Sequence, residues 1–488
     1  MGEHHQQSIS IFKPLASYLQ SFLLVEVILA ISFILLIILA CCTKNNKIPI
    51  TAIIIIFISS ILVNQLYVKN LFKTPQVLID TLYYDTISIN FNFIILIAGC
   101  FTSLGVLFDN GLKKKYIPEL FAVIILAGIG GCLLVSSYNL MMAIIAIETI
   151  SIAIYLICTF FRSETNSITG TYKYLINNIL LTLIFVYAIS LLYGINDSIK
   201  LDESIYYLIS NHSLSTYFIG ACFISIVLFK LFIFPFSFIA PGIYKSASIS
   251  GVAFLSTIPK IAFFGFLYRI STLLNIHGST TIYVVLMVFA AITLIVGVYS
   301  ALKQVNIKAL LAYASLSDSG FLFYIIVLST LQLKLIALDH VIYYLLVYVV
   351  SINGLCLVFS NIANNYSSYS ITKYLGFFQK KPYLFAYLVG FIVSLVGLPP
   401  TAGFLAKFLL LINTISFKNS LYTYIFILLF VIYSVVSIVY YLRILSYMLK
   451  KADNLVYLDK KYADRTRHII CFILLIVIVV LLIYPFPQ

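Results

Sequence analysis

Apolar runs long enough to cross a bilayer follow one another along almost the whole chain, separated by short polar or Gly/Pro breaks. A helix needs roughly 20 apolar residues to span the hydrocarbon core. The runs fall at about 20–41, 48–68, 86–108, 117–136, 138–161, 172–194, 214–238, 249–271, 279–302, 307–330, 333–361, 383–412, 421–448 and 468–486. The expected architecture is an all-α polytopic membrane protein of about 14 transmembrane helices. Composition closes the soluble alternative: 62% of the 488 residues are hydrophobic and 9% charged, whereas soluble chains carry about a quarter charged residues. So few charges cannot cover a soluble core.

Several chemistries drop out early. The 8 cysteines are scattered, with only Cys41 and Cys42 adjacent, and no CxxC or iron–sulfur spacing occurs. His4, His5, His212 and His277 fall outside the spans or at their rims, so no facing pair for a b-type haem is present. No Walker loop and no GxGxxG following a strand is found. The first twenty residues are too polar for a signal h-region and do not read as a transit peptide.

The formal net charge of +14 is explained by topology rather than by nucleic acid. Basic residues concentrate in the odd-numbered connections: Lys44, Lys47, Lys113, Lys114, Lys115, Arg162, Lys245, Lys303, Lys373, Lys380 and Lys381. The last odd connection adds Lys450, Lys451, Lys460, Lys461, Arg465 and Arg467. Even connections and termini carry fewer, namely Lys13, Lys69, Lys73, Lys200, Lys334 and Lys418. By the positive-inside rule the odd connections face the negative side and both termini the positive side.

Two spans are interrupted. In the seventh, Pro235 and the Pro241-Gly242 pair break the run; in the twelfth, Gly397, Pro399 and Pro400 do so. Proline removes a backbone donor and clashes with the preceding turn, and freed backbone groups in a membrane need protein or water partners. Broken helices at matching places in two halves point to inverted repeats around an ion path. Their separation of five spans fits a five-helix repeat, and an odd-numbered repeat is necessarily inverted. Two unrelated proline kinks would produce the same pattern. The corresponding division is 1–116 as an N-terminal three-helix segment, 117–272 and 273–449 as the repeats, and 450–488 as a basic loop and final helix.

Ionisable residues inside spans cost at least ~2.5–3.5 kcal/mol each at mid-bilayer. The notable ones are Glu148, Lys230, Lys260 and Lys407; Lys308, Asp318, Asp339 and His340 are secondary, and Glu26 lies in the first span near its rim. Low dielectric disfavours a charged amine, so buried lysines can load and release protons, and a nearby carboxylate biases that exchange. Ammonium groups do not ligate metal, so the expected use of the set is a proton relay rather than a metal site. Snorkelling towards headgroups competes for Lys308 and Lys173. Lys230 beside one break and Lys407 seven residues past Pro400 favour function, with Lys260 close behind.

The stretches AIETISIAIYL, YKYLINNILLTLIFVYAISLLYG, LFKLFIFPFSFIAPGIYKSAS, FLSTIPKIAFF, IKALLAYASLSDSGF, SLVGLPPTAGFLAKF and YYLRI occur in this order. Together they resemble the antiporter-like, subunit 2 family of respiratory complex I (NADH dehydrogenase), over about residues 20–486. The resemblance implies the antiporter-like fold, with two inverted repeats in spans 4–8 and 9–13 and discontinuous spans 7 and 12. It implies that Glu148 pairs with Lys230, that Lys260 is the connecting lysine, and that Lys407 is the twelfth-span relay residue. It also implies no cofactor in this chain, with NADH, FMN, iron–sulfur clusters and ubiquinone in partner subunits. The implied partners are other membrane-arm subunits, including a neighbouring antiporter-like one, and lipids.

The sequence departs from that family in two places. The usual PFHMWAPDIYEG reads PFSFIAPGIYKS from Pro235, and the usual SSIGHVG reads ASLSDSG from Ala314, so a histidine role passes to Asp318 or is absent. Heavy use of Ile, Phe, Tyr, Asn and Lys without Trp resembles AT-rich coding, which suits the mitochondrial inner membrane or a bacterial plasma membrane. Alternatives in function are a multisubunit Na⁺/H⁺ antiporter subunit and a scaffold whose buried charges only fix packing.

Overall fold

The computed structural model describes residues 25–42, 60, 76–78, 81–109, 117–160, 165–211, 213–274, 280–332, 336–366, 368–415, 421–451 and 464–485. The expected span at 48–68 lies outside these residues apart from Ser60. So do Lys13, Lys44, Lys47, Lys69, Lys73, Lys113, Lys114, Lys115, Arg162, Lys334, Lys418, Lys460 and Lys461, and His4, His5, His212 and His277.

The chain opens with α1 (Val25–Cys42), a two-stranded antiparallel hairpin β1 (Gln76–Leu78) and β2 (Leu82–Tyr84), and α2 (Thr86–Leu107). There follow α3 (Ile117–Ser136), α4 (Leu140–Thr159), α5 (Thr165–Asn196), the short α6 (Leu201–Ser210) and α7 (Leu214–Lys230). A 3₁₀ turn (Phe236–Ile239) leads into α8 (Ala240–Ser246), α9 (Ile249–Ser256), α10 (Ile258–Leu274), α11 (Thr280–Lys303), α12 (Ile307–Leu331) and α13 (Leu338–Tyr366). After a second 3₁₀ turn (Ile371–Lys373) come α14 (Phe377–Lys380), α15 (Pro382–Val396), α16 (Ala402–Ile415), α17 (Leu421–Leu449) and α18 (Asp464–Ile483). Among the described residues nine helical spans, one of them the pair α9–α10, are long and apolar enough to cross a membrane. The interrupted seventh and twelfth spans appear as α7 with α8, and α15 with α16. The hairpin and α6 are additions that apolar periodicity did not reveal, because both are short and lie between spans.

Burial sorts the helices. The α9–α10 span and α13 are buried on every side, which makes them the centre of the bundle; a helix that is apolar all round belongs in a core. In contrast, α5 and α17 keep most of their apolar surface open: Leu183, Tyr187, Leu428 and Val435 are exposed. Such continuous apolar surface is what lipid or a partner subunit covers. Where helices cross most closely, the side chain has to vanish. A Cβ on Gly170 of α5 would stand 2.4 Å from the Gly242 carbonyl oxygen of α8.

The hydrogen bonds between connections keep to the odd and even division read from the charges. On the even side, Arg269 at the end of α10 donates to Asp85 at 2.8 Å and to the Val135 carbonyl at 2.8 Å, and Asn139 pairs with Lys200. On the odd side, Ser250 bonds Asp109 at 2.9 Å, Ile307 donates to the Tyr369 carbonyl, Gly376 to the Lys450 carbonyl, and Arg467 to the Phe108 carbonyl. Two separate surfaces form, as alternating spans require.

Asp85 has two tasks at once. It caps α2 by accepting from Ser88 N, and it is the salt-bridge partner of the buried Arg269. Losing a cap costs about 1 kcal/mol, and leaving a buried charge unpaired costs roughly 3–5 kcal/mol. Asp85→Ala is expected to lower thermal stability in detergent well beyond Ser88→Ala, which removes only the reciprocal half of the capping box. Equal melting temperatures for the two variants would refute the assignment.

Candidate functional site

Interrupted helices leave carbonyls without intrahelical donors, and the site is built where lysines meet those interruptions. Lys230 is the last residue of α7, immediately before the break. Past it, Phe232 takes a positive φ of 57° and Pro235 cannot donate. The loosened backbone is rescued from outside: Phe234 N donates to Thr293 Oγ1 at 2.8 Å. In the twelfth span Gly397 ends α15 in the left-handed conformation, with φ 81°, as a glycine C-cap does. Its N–H covers the Val393 and Ser394 carbonyls. The two remaining carbonyls, of Leu395 and Val396, accept from Lys407 Nζ at 2.9 and 3.0 Å. Lys407 therefore reaches back from α16 to finish α15, and a cation at a helix C-terminus is favourable in its own right.

The eighth span is interrupted too, which the sequence reading did not anticipate. Thr257 departs from helical geometry between α9 and α10, and Pro259 follows. Lys260 comes directly after this break and donates to the Ser315 carbonyl of α12. Thus Lys230, Lys260 and Lys407 each stand at a helix interruption, and each is buried to about 5% exposure or less.

Around Lys230 the contacts form a continuous set. Its Nζ donates to Ser151 Oγ of α4 and to Asn178 Oδ1 of α5, and Asn178 Nδ2 donates in turn to Glu148 Oε1 at 3.5 Å. Glu148 and Lys230 are thus joined through a carboxamide rather than by direct contact. Aromatic faces complete the enclosure: Tyr174 and Phe229 lie 5.8 Å from the ammonium and Phe263 lies 6.0 Å away. Phe263 is one turn beyond Lys260 on α10, so the two lysines share neighbouring turns of the core.

The second group gathers around α12. Asp318 Oδ1 accepts from the Tyr433 hydroxyl of α17, and the Tyr433 ring lies 4.6 Å from Lys407 Nζ. The Ser315 hydroxyl, one turn earlier, donates to Tyr244 OH at 3.0 Å. Gly403 permits this closure: a Cβ there would sit 1.7 Å from the Ser394 carbonyl oxygen, so only glycine allows α16 to pack against the end of α15.

The secondary candidates separate. Lys308 does not snorkel; it is buried, donates to the Ala247 carbonyl at 2.7 Å and lies 3.7 Å from the Tyr369 ring centre. It ties the start of α12 to the end of α8. Lys173, by contrast, is exposed on α5. Asp339 is exposed in the first turn of α13, outside the interior expected for it; the helix begins at Leu338, five residues later than the apolar run suggested. His340 pairs with Asn413 at the same end of the bundle, apart from the lysines. Glu26 is buried near the hairpin, accepting from Tyr84 OH and from Ser136 Oγ at 3.3 Å. Pro235 and the pair Pro399 and Pro400 lie in the non-helical segments between the paired helices, whereas Pro241 sits in the first turn of α8 and not at a break. Asn178, Ser151 and Tyr433 were missed. For Asn178 the signal was available: adjacent asparagines, Asn177 and Asn178, inside an apolar span.

Among the described residues no group of three or more His, Cys, Asp or Glu side chains is placed to hold a metal. Residues 137–437, which contain Glu148 and all three break lysines, match the family described as NADH:quinone oxidoreductase/Mrp antiporter, transmembrane. The chain belongs to this family. It is 33% identical to NADH-quinone oxidoreductase subunit N 2 of Thermodesulfovibrio yellowstonii over 79% of this chain and 80% of that one. It is 26% identical to NADH-quinone oxidoreductase subunit N of Chlorobium chlorochromatii over 87% and 84%. A chain of respiratory complex I from Thermus thermophilus has the same fold, with a TM-score of 0.77 at 21% identity over 94% of this chain and 97% of that chain. A chain of the Mrp complex from Dietzia sp. DQ12-45-1b also shares it, with a TM-score of 0.78 at 16% identity over 94% of both. The fold is therefore antiporter-like, and the sequence likeness is to the subunit N type.

Gly403→Ala is expected to push α16 from α15 and to destabilise the protein by about 1–3 kcal/mol, the usual range for overpacking. A melting temperature unchanged from that of the parent protein would contradict the close approach.

Proposed function

We propose that the chain is a proton-translocating membrane-arm subunit of an NADH:quinone oxidoreductase, carrying protons through Glu148, Lys230, Lys260 and Lys407. One observation carries this reading: three amines are buried at three helix interruptions, and the first is linked to a carboxylate by Asn178. The subunit N relatives support the assignment to that enzyme. The neighbouring membrane-arm subunits are its partners, among them another antiporter-like subunit, and lipid covers the outer helices. NADH oxidation, FMN, the iron–sulfur clusters and quinone reduction belong to other subunits.

The chemistry expected of the site is proton exchange alone. While Glu148 is ionised, its field through Asn178 favours the ammonium form of Lys230. Protonating Glu148 withdraws that stabilisation, and the Lys230 proton can pass on towards Lys260 and then Lys407. Asn178 keeps the two groups within electrostatic reach and apart from direct transfer. The membrane is an energy-coupling one. Composition suits either the mitochondrial inner membrane or a bacterial plasma membrane, and the bacterial relatives favour the plasma membrane.

A second reading has an observation of its own, since the matched family description also covers Mrp antiporters and an Mrp chain shares the fold. Purification in mild detergent, identification of the partners and assay of NADH:quinone activity distinguish the two. Co-purification with NADH:quinone activity is expected; cation exchange without NADH oxidation would favour the antiporter.

Within the complex, Lys230→Ala and Glu148→Ala are expected to lower the protons moved per electron while the complex still assembles. Asn178→Leu, which removes one of Lys230's two acceptors and Glu148's carboxamide donor together, is expected to lower it as well. Normal stoichiometry in Lys230→Ala would sink the assigned role, and a loss confined to assembly would favour a scaffold.

A further inference from the structure

Among the described residues, Asp318 is the carboxylate that lies beside both later lysines. We propose that Asp318 is the shared counter-ion of Lys260 and Lys407 and holds the resident proton count of that pair at one. The inference rests on the proton-carrying role proposed above and extends it to a residue at which this sequence leaves the pattern of the family it resembles.

Geometry carries the proposal. Two small cavities flank Asp318. One, of about 20 Å³, is lined by Asp318 together with Lys407, Ser351, Ser394, Tyr344 and Tyr348; that is room for a single water. The other, of about 10 Å³, is lined by Asp318 with Lys260, Ser256, Ser319, Tyr344 and Tyr348. The carboxylate thus borders two chambers, each containing a single lysine. Among the described residues neither lysine makes a direct salt bridge to it. Tyr433 touches both Asp318 and Lys407, with its hydroxyl on the carboxylate and its ring 4.6 Å from the ammonium. Lys260 donates to the Ser315 carbonyl, one turn from Asp318, with the Tyr348 ring 5.7 Å from its nitrogen.

Titratable groups face the carboxylate from several elements, Tyr441 of α17 among them. Others are Lys260 from α10, Lys407 from α16, Tyr344 and Tyr348 from α13, Tyr433 and Tyr440 from α17, and Tyr244 from α8. Only the two lysines are cationic. One carboxylate can neutralise one ammonium. While Asp318 is ionised, two protonated lysines leave the group with a net positive charge and two neutral ones leave it with a net negative charge. Uncompensated charge in a low-dielectric interior is strongly disfavoured. The favoured occupancy is therefore one proton for the three groups, and while Asp318 is ionised that proton sits on one of the two amines.

Transfer then conserves charge. The proton leaves Lys260 Nζ, giving its neutral amine, and arrives on Lys407 Nζ, giving its ammonium; Asp318 remains a carboxylate and the group stays neutral throughout. A proton entering at Lys260 must be matched by one leaving at Lys407. Asp318 acts here through the lysines and is a positioning residue for their proton.

The test uses the intact purified complex in sealed proteoliposomes, measuring protons moved per electron and NADH:quinone rate. Wild-type pumping establishes that the underlying reading holds; its absence would remove that reading and this inference together. Given wild-type pumping, Asp318→Asn and Lys407→Gln are each expected to reduce the stoichiometry. The double variant is expected to lose no more than the worse single one, because neighbours acting as one unit are not additive. Asp318→Glu is expected to recover most of the stoichiometry. Full pumping in Asp318→Asn, or additive losses in the double variant, would overturn the role of Asp318 and leave the wider reading standing. Where Asp318→Asn fails to assemble, Asp318→Glu provides the second measurement. In that variant the pH at which pumping is half-maximal is expected to move, and a pH profile identical to wild type at full stoichiometry would overturn the proposal.

Discussion

The rule on which this structure depends is that a freed backbone polar group or a charge inside the bilayer needs a partner. Breaking a helix exposes carbonyls, and burying an amine exposes a charge; here each defect corrects the other. Lys407 is the clearest case, since its ammonium completes the last turn of α15 at the Leu395 and Val396 carbonyls. The break and the charge are one feature. A lysine without the broken turn would cost several kcal/mol to bury, and the broken turn without a lysine would leave two unsatisfied acceptors.

That pairing explains why the relay residues are embedded in polar and aromatic contacts instead of ion pairs. Lys230 is held by a hydroxyl, a carboxamide and ring faces, with Glu148 one group further away. A tight salt bridge would stabilise one protonation state and trap the proton. Neutral partners hold the nitrogen in place while leaving both states accessible. The same economy applies around Asp318, which accepts from a tyrosine and makes no direct ion pair with Lys407 among the described residues.

Much of this was legible in the residue order. The spans, the alternating basic connections and the proline breaks follow from apolar run length, loop charge and backbone chemistry, which are local properties. Where the reading failed, the cause was also physical. The break at Thr257 carries only Pro259 as a marker, and a proline in the first turn of a helix is normal. Asp339 lies at the edge of an apolar run whose helix starts later than the run. The hairpin and α6 lack the length that hydropathy needs. Lys308 resembled a snorkelling rim lysine, and only the arrival of the α8 terminus beside it made a buried site.

The sequence by itself marked the apolar runs, the alternation of their basic connections and the few charges out of place, because each depends on residues near one another in the chain. The tertiary structure decided which of those charges meet. Lys230 and Asn178 are 52 residues apart, and Asp318 and Tyr433 are 115 apart. No local pattern brings such partners together. Packing of the bundle does so, through close approaches such as that of Gly403 to Ser394, and it turns isolated buried charges into two connected groups.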